Sequence, residues 1–188
     1  MSLLSKKFVV LLLAAVASLG ALNAYAAKAT PTGTELKVSM LGDKLKFTLP
    51  KGFSANPLPA SPTGASGTMY TNETTKTVVI VAENTIPGGV NVKDNDGAFL
   101  DSAAADFATE QAKALPDFTK ISEKSLTQKG TGLGIRQIDS SATQGGGKTL
   151  DTTLMAASGT RMALVQVISR LSDNAGHDTL VKKIISGK

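Results

Sequence analysis

Val78-Val79-Ile80-Val81, inside the longer run Thr77 to Glu83, is apolar at every position. A strand with one wet face alternates apolar and polar residues, so an unbroken apolar run predicts a strand covered above and below. Met162 to Ile168 repeats the pattern and predicts a second central strand. Two such strands require layers on both sides of a sheet, and the rest of the chain supplies them. Phe99, Leu100, Ala103, Ala104, Phe107, Gln111, Ala114 and Leu115 recur at spacings of three and four, which predicts an amphipathic helix. Asp94 or Asp96 can cap its start, Asp101 and Asp106 suit the positive end of its dipole, and Pro116 closes it. A second helix starts at Asp173 or Asn174 and carries the stripe Leu180, Val181, Ile184 and Ile185.

The remaining segments read as strands. Leu36, Val38 and Met40, then Leu45, Phe47 and Leu49, alternate with polar residues around Leu41-Gly-Asp-Lys44 and predict a hairpin that Pro50 ends. Thr68 to Thr71 pairs naturally with Thr77 to Glu83 across Asn72-Glu-Thr-Thr75. Phe118 to Thr127, Leu133 to Thr143, Lys148 to Ala157 and Arg161 to Arg170 are joined by short glycine-bearing connections of the antiparallel kind. The expected fold is α+β: a single, largely antiparallel β-sheet of about eight strands flanked by two α-helices. Lys51 to Ser66, with Pro57, Pro59 and Pro62, predicts a long loop without regular structure. Long loops in compact domains are often functional; Phe53 and Leu58, its large apolar residues, read first as tucked against the core, with an exposed partner contact as the alternative.

The N-terminus has the three regions of a secretory signal. Lys6 and Lys7 precede the apolar run Phe8 to Leu19, and Ala24-Tyr25-Ala26 is a small-x-small cleavage site. As a helix that run would span about 18 Å against about 30 Å of hydrocarbon, so cleavage after Ala26 and export to the periplasm is the expectation, with an uncleaved anchor as the alternative. Residues 27–34 then form a flexible leader and residues 35–188 the folded domain.

The 188 residues include no Cys, no Trp and a single His, His177. This excludes disulfides, thiolate chemistry, lipid attachment through an N-terminal cysteine, and any Ser-His-Asp machinery that bypasses His177. The net charge of +5 is modest, and Arg136, Arg161 and Arg170 are the only arginines, so nucleic acid is not an expected partner. Gly145-Gly-Gly-Lys-Thr149 lacks the earlier glycine of a phosphate-binding loop and leads into a strand rather than a helix. Asp94-Asn-Asp-Gly97 is out of register for a calcium loop. His177 lacks the company that metal ligation or general-base catalysis requires, and reads as a packing residue. No catalytic, cofactor or metal residue is therefore expected. A carboxylate-dependent hydrolase using Asp94, Asp96 or Asp101 is the competing view.

Leu41-Gly-Asp-Lys-Leu-Lys-Phe-Thr-Leu-Pro50, Tyr70-Thr-Asn-Glu-Thr-Thr-Lys-Thr-Val-Val-Ile-Val81, and Leu126-Thr-Gln-Lys-Gly130 leading into Arg136-Gln-Ile-Asp-Ser140 resemble the DcrB family of bacterial envelope proteins. The likeness runs over nearly all of residues 36–185. It implies the fold of the photosystem protein PsbP and the nuclear-transport factor Mog, an antiparallel sheet between helices. It also implies a non-enzymatic periplasmic binding or adaptor protein without a cofactor, peripherally associated with the inner membrane and linked to phage sensitivity and envelope maintenance. A chaperone-like adaptor of a secreted effector is a further alternative. The family's lipobox cysteine is missing here, since Ala24-Tyr-Ala-Ala27 stands in its place, so no lipid anchor is expected.

Overall fold

The computed structural model describes residues 33–59 and 66–188. The expected signal, its cleavage site and most of the leader lie outside the described residues. Nine strands and two α-helices follow in the order β1 (Leu36–Met40), β2 (Leu45–Leu49), β3 (Ser54–Pro57), β4 (Ser66–Asn72), β5 (Thr77–Thr85), α1 (Gly97–Ala114), β6 (Thr119–Thr127), β7 (Gly134–Gln144), β8 (Gly147–Ser158), β9 (Arg161–Arg170) and α2 (Asn174–Ser186). Seven strands form one sheet in the order β3-β4-β5-β9-β8-β7-β6, with every neighbouring pair antiparallel. The two runs that are apolar on both faces, in β5 and β9, lie side by side near its centre, as expected.

Alternation along the strands divides their side chains between two faces. Ala82, Ile138, Met155, Met162 and Leu164 point to one face and pack against Leu100, Ala103, Ala104 and Phe107 of α1. Val79, Val81, Ile135, Leu154, Val165 and Val167 point to the other, beneath Leu180, Val181 and Ile184 of α2. Here the structure refines the expectation. β1 and β2 form a separate two-stranded sheet and, with α2, roof the second face through Val38, Met40, Leu45, Phe47 and Leu49. A lone α2 of 13 residues could not cover a seven-stranded face, and the hairpin completes the layer.

A second refinement lies in Lys51 to Ser66. Ser54–Pro57 is not loop but the edge strand β3, paired with β4 from Ser54↔Thr71 to Pro57↔Thr68. Proline is tolerated there because an edge strand can spare an N–H donor. Residues 60–65 of that segment are outside the described residues.

The helix termini follow their capping chemistry. Asp96, not Asp94, is the N-cap of α1, its Oδ1 accepting from the Phe99 N–H at 3.0 Å. Asp173 caps α2 by accepting from the Gly176 N–H at 3.2 Å, and Gly187 ends that helix in a left-handed conformation (φ 72°) that a side chain would strain. Asp96→Ala should lower stability by about 1 kcal/mol, read as a shift of the urea midpoint at unchanged slope.

Candidate functional site

Among the described residues the sheet leaves two edges unpaired, and they differ in chemistry. β6 is nine residues long and carries Lys120, Glu123 and Lys124, with a register break between Lys120 and Ser122. Charges and bulges are the ordinary means by which an edge is kept from pairing with another chain. Ile121 at that break is exposed. β3, reading Ser-Ala-Asn-Pro, carries no charge and shows no bulge, and its Ala55 and Pro57 are exposed. The edge in the predicted loop segment thus lacks the charges and the register break of β6, and is limited instead by its four-residue length and by Pro57.

The two residues singled out in that segment part company. Phe53 is 2% exposed and belongs to the core beneath α2 and the β1–β2 hairpin, so the structure corrects its candidacy as a partner contact. Alternation puts Phe53 on the same face as Ala55, and the β1–β2 hairpin and α2 cover Phe53 while Ala55, further along the edge, stays exposed. Leu58 is half-buried at the end of β3, packed with Val78 on a small cluster of Met69, Ile80 and Ile168. Its methyl group would meet a Cβ at Gly67 at 2.9 Å, and the Val81 carbonyl oxygen would meet it at 2.7 Å. The absent side chain at Gly67 is what lets Leu58 fold over β4.

The three acids of the hydrolase alternative do not converge. Asp94 accepts from Lys44 Nζ at 2.6 and 2.9 Å and from the Ser158 hydroxyl at 2.6 Å, tying the β1–β2 turn to the end of β8. Lys44, whose side chain is 43% exposed, then Ser158, hold the Asp94 carboxyl below the usual range. Asp96 is a cap, and Asp101 pairs with Arg136, whose buried guanidinium also meets the Ser125 hydroxyl and lies 3.6 Å from Glu123. Gly145 and Gly146 form the two-residue β7–β8 turn with φ of 55° and 81°, as a hairpin with positive φ at both positions requires.

His177 sits in a polar network that its sequence neighbours did not disclose. Its ring, 5% exposed, joins α2 to the sheet, with Nε2 2.9 Å from Thr152 Oγ1 and Nδ1 3.0 Å from Ser169 Oγ. Thr152 gives its own proton to Asp139 Oδ1 at 2.9 Å, which leaves its oxygen to accept from Nε2–H and leaves Nδ1 to accept from Ser169. Burial lowers the His177 pKa, against the pull of Asp178, Asp139 and Asp173, and so favours this neutral ring. Burial disfavours the Asp139 charge, but hydrogen bonds from Ser122, Gln137, Thr152 and Lys124 outweigh it and hold its pKa low. Ser169 is 1% exposed between α2 and the sheet, so the chain Ser169–His177–Thr152–Asp139 fastens a helix rather than presenting a nucleophile.

A second buried polar group, Asp151 with Gln144, Thr149, Thr153 and Gln166, lies on the opposite face beside α1. Gln166 inside the otherwise apolar Met162 to Ile168 was the available sequence signal for it. Burial pushes Asp151 up to about 7, although hydrogen bonds with Thr149 and Gln144 pull the other way. Among the described residues, no group of three or more His, Cys, Asp or Glu side chains is placed to hold a metal ion. No helix among them is long and apolar enough to cross a membrane.

Neither a family model nor a curated protein matches the sequence. Solved structures do match the architecture. A cyanobacterial PsbP, CyanoP from Synechocystis sp. PCC 6803, superposes with a TM-score of 0.58 over 81% of this chain and 92% of its own, at 11% identity. The fold is PsbP-like. The seven-stranded antiparallel sheet between two helices is what the likeness rests on, and at 11% identity it reaches no further than the fold. A Pseudomonas aeruginosa protein of unknown function covers 83% of this PsbP-like chain at 15% identity, with a TM-score of 0.47.

Proposed function

We propose that this PsbP-like chain is a non-enzymatic adaptor of the bacterial envelope, of the kind to which the DcrB resemblance points. In this reading it is exported, cleaved after Ala26 and held in the periplasm without a lipid anchor, in peripheral contact with the inner membrane. Its partner is an envelope protein, bound by strand addition on β3, and neither nucleic acid nor a cofactor takes part.

The observation that carries the reading is the contrast between the two edges. β6 bears the charges and the register break that block pairing, whereas β3 offers an uncharged backbone edge beside the half-buried Leu58. Strand addition gains its affinity from main-chain hydrogen bonds, and an edge residue with a small exposed side chain such as Ala55 lets a partner backbone approach. The separate duties of Asp94, Asp96 and Asp101 favour an adaptor over a carboxylate hydrolase, which needs two acids across one cleft.

A photo-crosslinking residue in place of Ala55, expressed in cells with the signal intact, should yield one discrete adduct with an inner-membrane or periplasmic protein. The same residue in place of Ile121 on β6 should yield none. Equal adducts from both edges, or none from Ala55 in a protein recovered from the periplasm with Ala27 at its N-terminus, would overturn the proposal.

A further inference from the structure

The register of β3 fixes which of its backbone groups face the free edge. The Leu58 N–H donates to the Gly67 carbonyl at 3.0 Å, so Leu58 and Gly67 form a hydrogen-bonded pair. In an antiparallel ladder such pairs alternate with pairs whose N–H and C=O groups point away from the neighbouring strand. Asn56 and Ser54 therefore bond to β4, whereas Ala55, opposite Tyr70, and Pro57, opposite Thr68, turn their backbone groups outward. Pro57 stands where its missing N–H takes nothing from the β3–β4 ladder. The edge offers an incoming chain the Ala55 N–H, the Ala55 carbonyl and the Pro57 carbonyl.

Bonds to these groups alone do not hold a partner. Each is worth a factor of about 2 to 12 in an equilibrium constant, so together they reach about millimolar affinity at best. A partner strand on β3 must gain the rest from side chains, and the edge itself says which. Ala55, Pro57, Thr68 and Tyr70 share one face, the face of α2. Ala55 and Pro57 are exposed, and Tyr70 is half-buried at the margin of the core beneath α2. Ala55 and Tyr70 form a non-hydrogen-bonded pair, with Cα atoms about 4.5 Å apart, and an added strand would lie about 5.5 Å beyond Ala55. Only a methyl group then stands between the Tyr70 ring and the side chain that the added strand sets opposite Ala55. The other face of β3 is closed, because Ser54 and Asn56 are buried and Leu58 folds over Gly67.

We propose that Ala55, Pro57 and Tyr70 form a shelf that selects the partner strand: an extended segment with an aromatic side chain opposite Ala55, laid over its methyl group between the rings of Tyr70 and Pro57. This rests on strand addition at β3 and names the strand that the edge accepts. The outer Cα positions lie about 10 Å apart across β3, a gap that two aromatic side chains leaning toward each other close. Their rings gain beyond the area they bury, whereas a charged residue in the same place loses hydration without a partner.

Random heptapeptides displayed on phage and selected on the immobilised full chain test this. The retained sequences should share a Phe, Tyr or Trp, and replacing it with Ala in a synthetic copy should weaken binding roughly tenfold or more in calorimetric titration. Ala55→Tyr fills the gap and leaves the backbone groups free, so it should weaken the aromatic peptide to the level of its Ala copy. Ala55→Pro removes the outward N–H and should abolish binding of both peptides. N-methylation of alternate peptide residues, which in one of its two frames removes the N–H groups that meet the edge, should do the same with the protein unaltered. Retained peptides without a common aromatic, or full affinity in Ala55→Tyr, overturn the shelf and leave strand addition standing. Peptides indifferent both to Ala55→Pro and to N-methylation, or no retained peptide, overturn both.

Discussion

Phe53→Ala is expected to lower the stability of the protein by about 3–5 kcal/mol, the range for deleting a fully buried phenylalanine. Phe53 is 2% exposed and packs in the cluster shared by β5, the β1–β2 hairpin and α2. Its ring sits where the chain leaves the hairpin layer and enters the sheet at β3, so neighbouring strands pinned by register cannot collapse into the space it leaves. Leu58→Ala, four residues beyond Ser54 and half-buried against Met69, Ile80 and Ile168, should cost about 1 kcal/mol. Urea unfolding of both variants measures the contrast, and equal losses would contradict the placement of Phe53. The difference also bears on the adaptor reading. Lost partner binding in a Phe53 variant would follow from unfolding, whereas Ala55 and Leu58 report on the edge itself.

The sequence signals that succeeded were those that depend on neighbours along the chain. Apolar continuity in Val78 to Val81 and Met162 to Ile168, helical spacing from Phe99 to Leu115, and glycines at Gly145 and Gly146 each announce a local geometry, and the structure places all of them accordingly. β3 was missed because Ser-Ala-Asn-Pro has neither β-branched residues nor length. Its extended form is imposed by pairing with β4, a contact made across residues 57–68 of a proline-rich segment. The separation of β1 and β2 from the main sheet was equally illegible, since their alternation would suit an edge pair or a roofing hairpin alike. The polar networks were hidden for a third reason. Thr152 meets His177 across 25 positions and Gln144 meets Asp151 around a turn, so neither partnership leaves a spacing to read. On β8 the succession Thr149, Asp151, Thr153 has the look of a solvent face, and only the arrival of Gln111 on α1 and Gln144 from β7 makes it an interior.

That interior sets the largest pH effect to be expected. Asp151 is 2% exposed, and burial raises its carboxyl to about 7, against 3.8 for an ordinary aspartate. A group whose pKa is higher in the folded state than in the unfolded chain binds more protons when folded between those two values. Its contribution to stability is full below about pH 4 and is lost as the pH rises through about 7, a loss of about 4 kcal/mol. His177 acts in the opposite sense, because its pKa is lowered by burial: its contribution is full above the ordinary 6.5 and falls as the solution is acidified. The total curve therefore blends the two, and the informative quantity is the difference between the wild type and Asp151→Asn. An amide keeps the volume and the hydrogen-bonding reach toward Gln144 and Thr149 but cannot ionise. The variant should be close to the wild type at pH 4.5 and more stable than it at pH 8, with the gap opening between about pH 4 and pH 7. A gap that does not change with pH would mean that Asp151 ionises in place, compensated by a charge that the sheet and α1 do not supply.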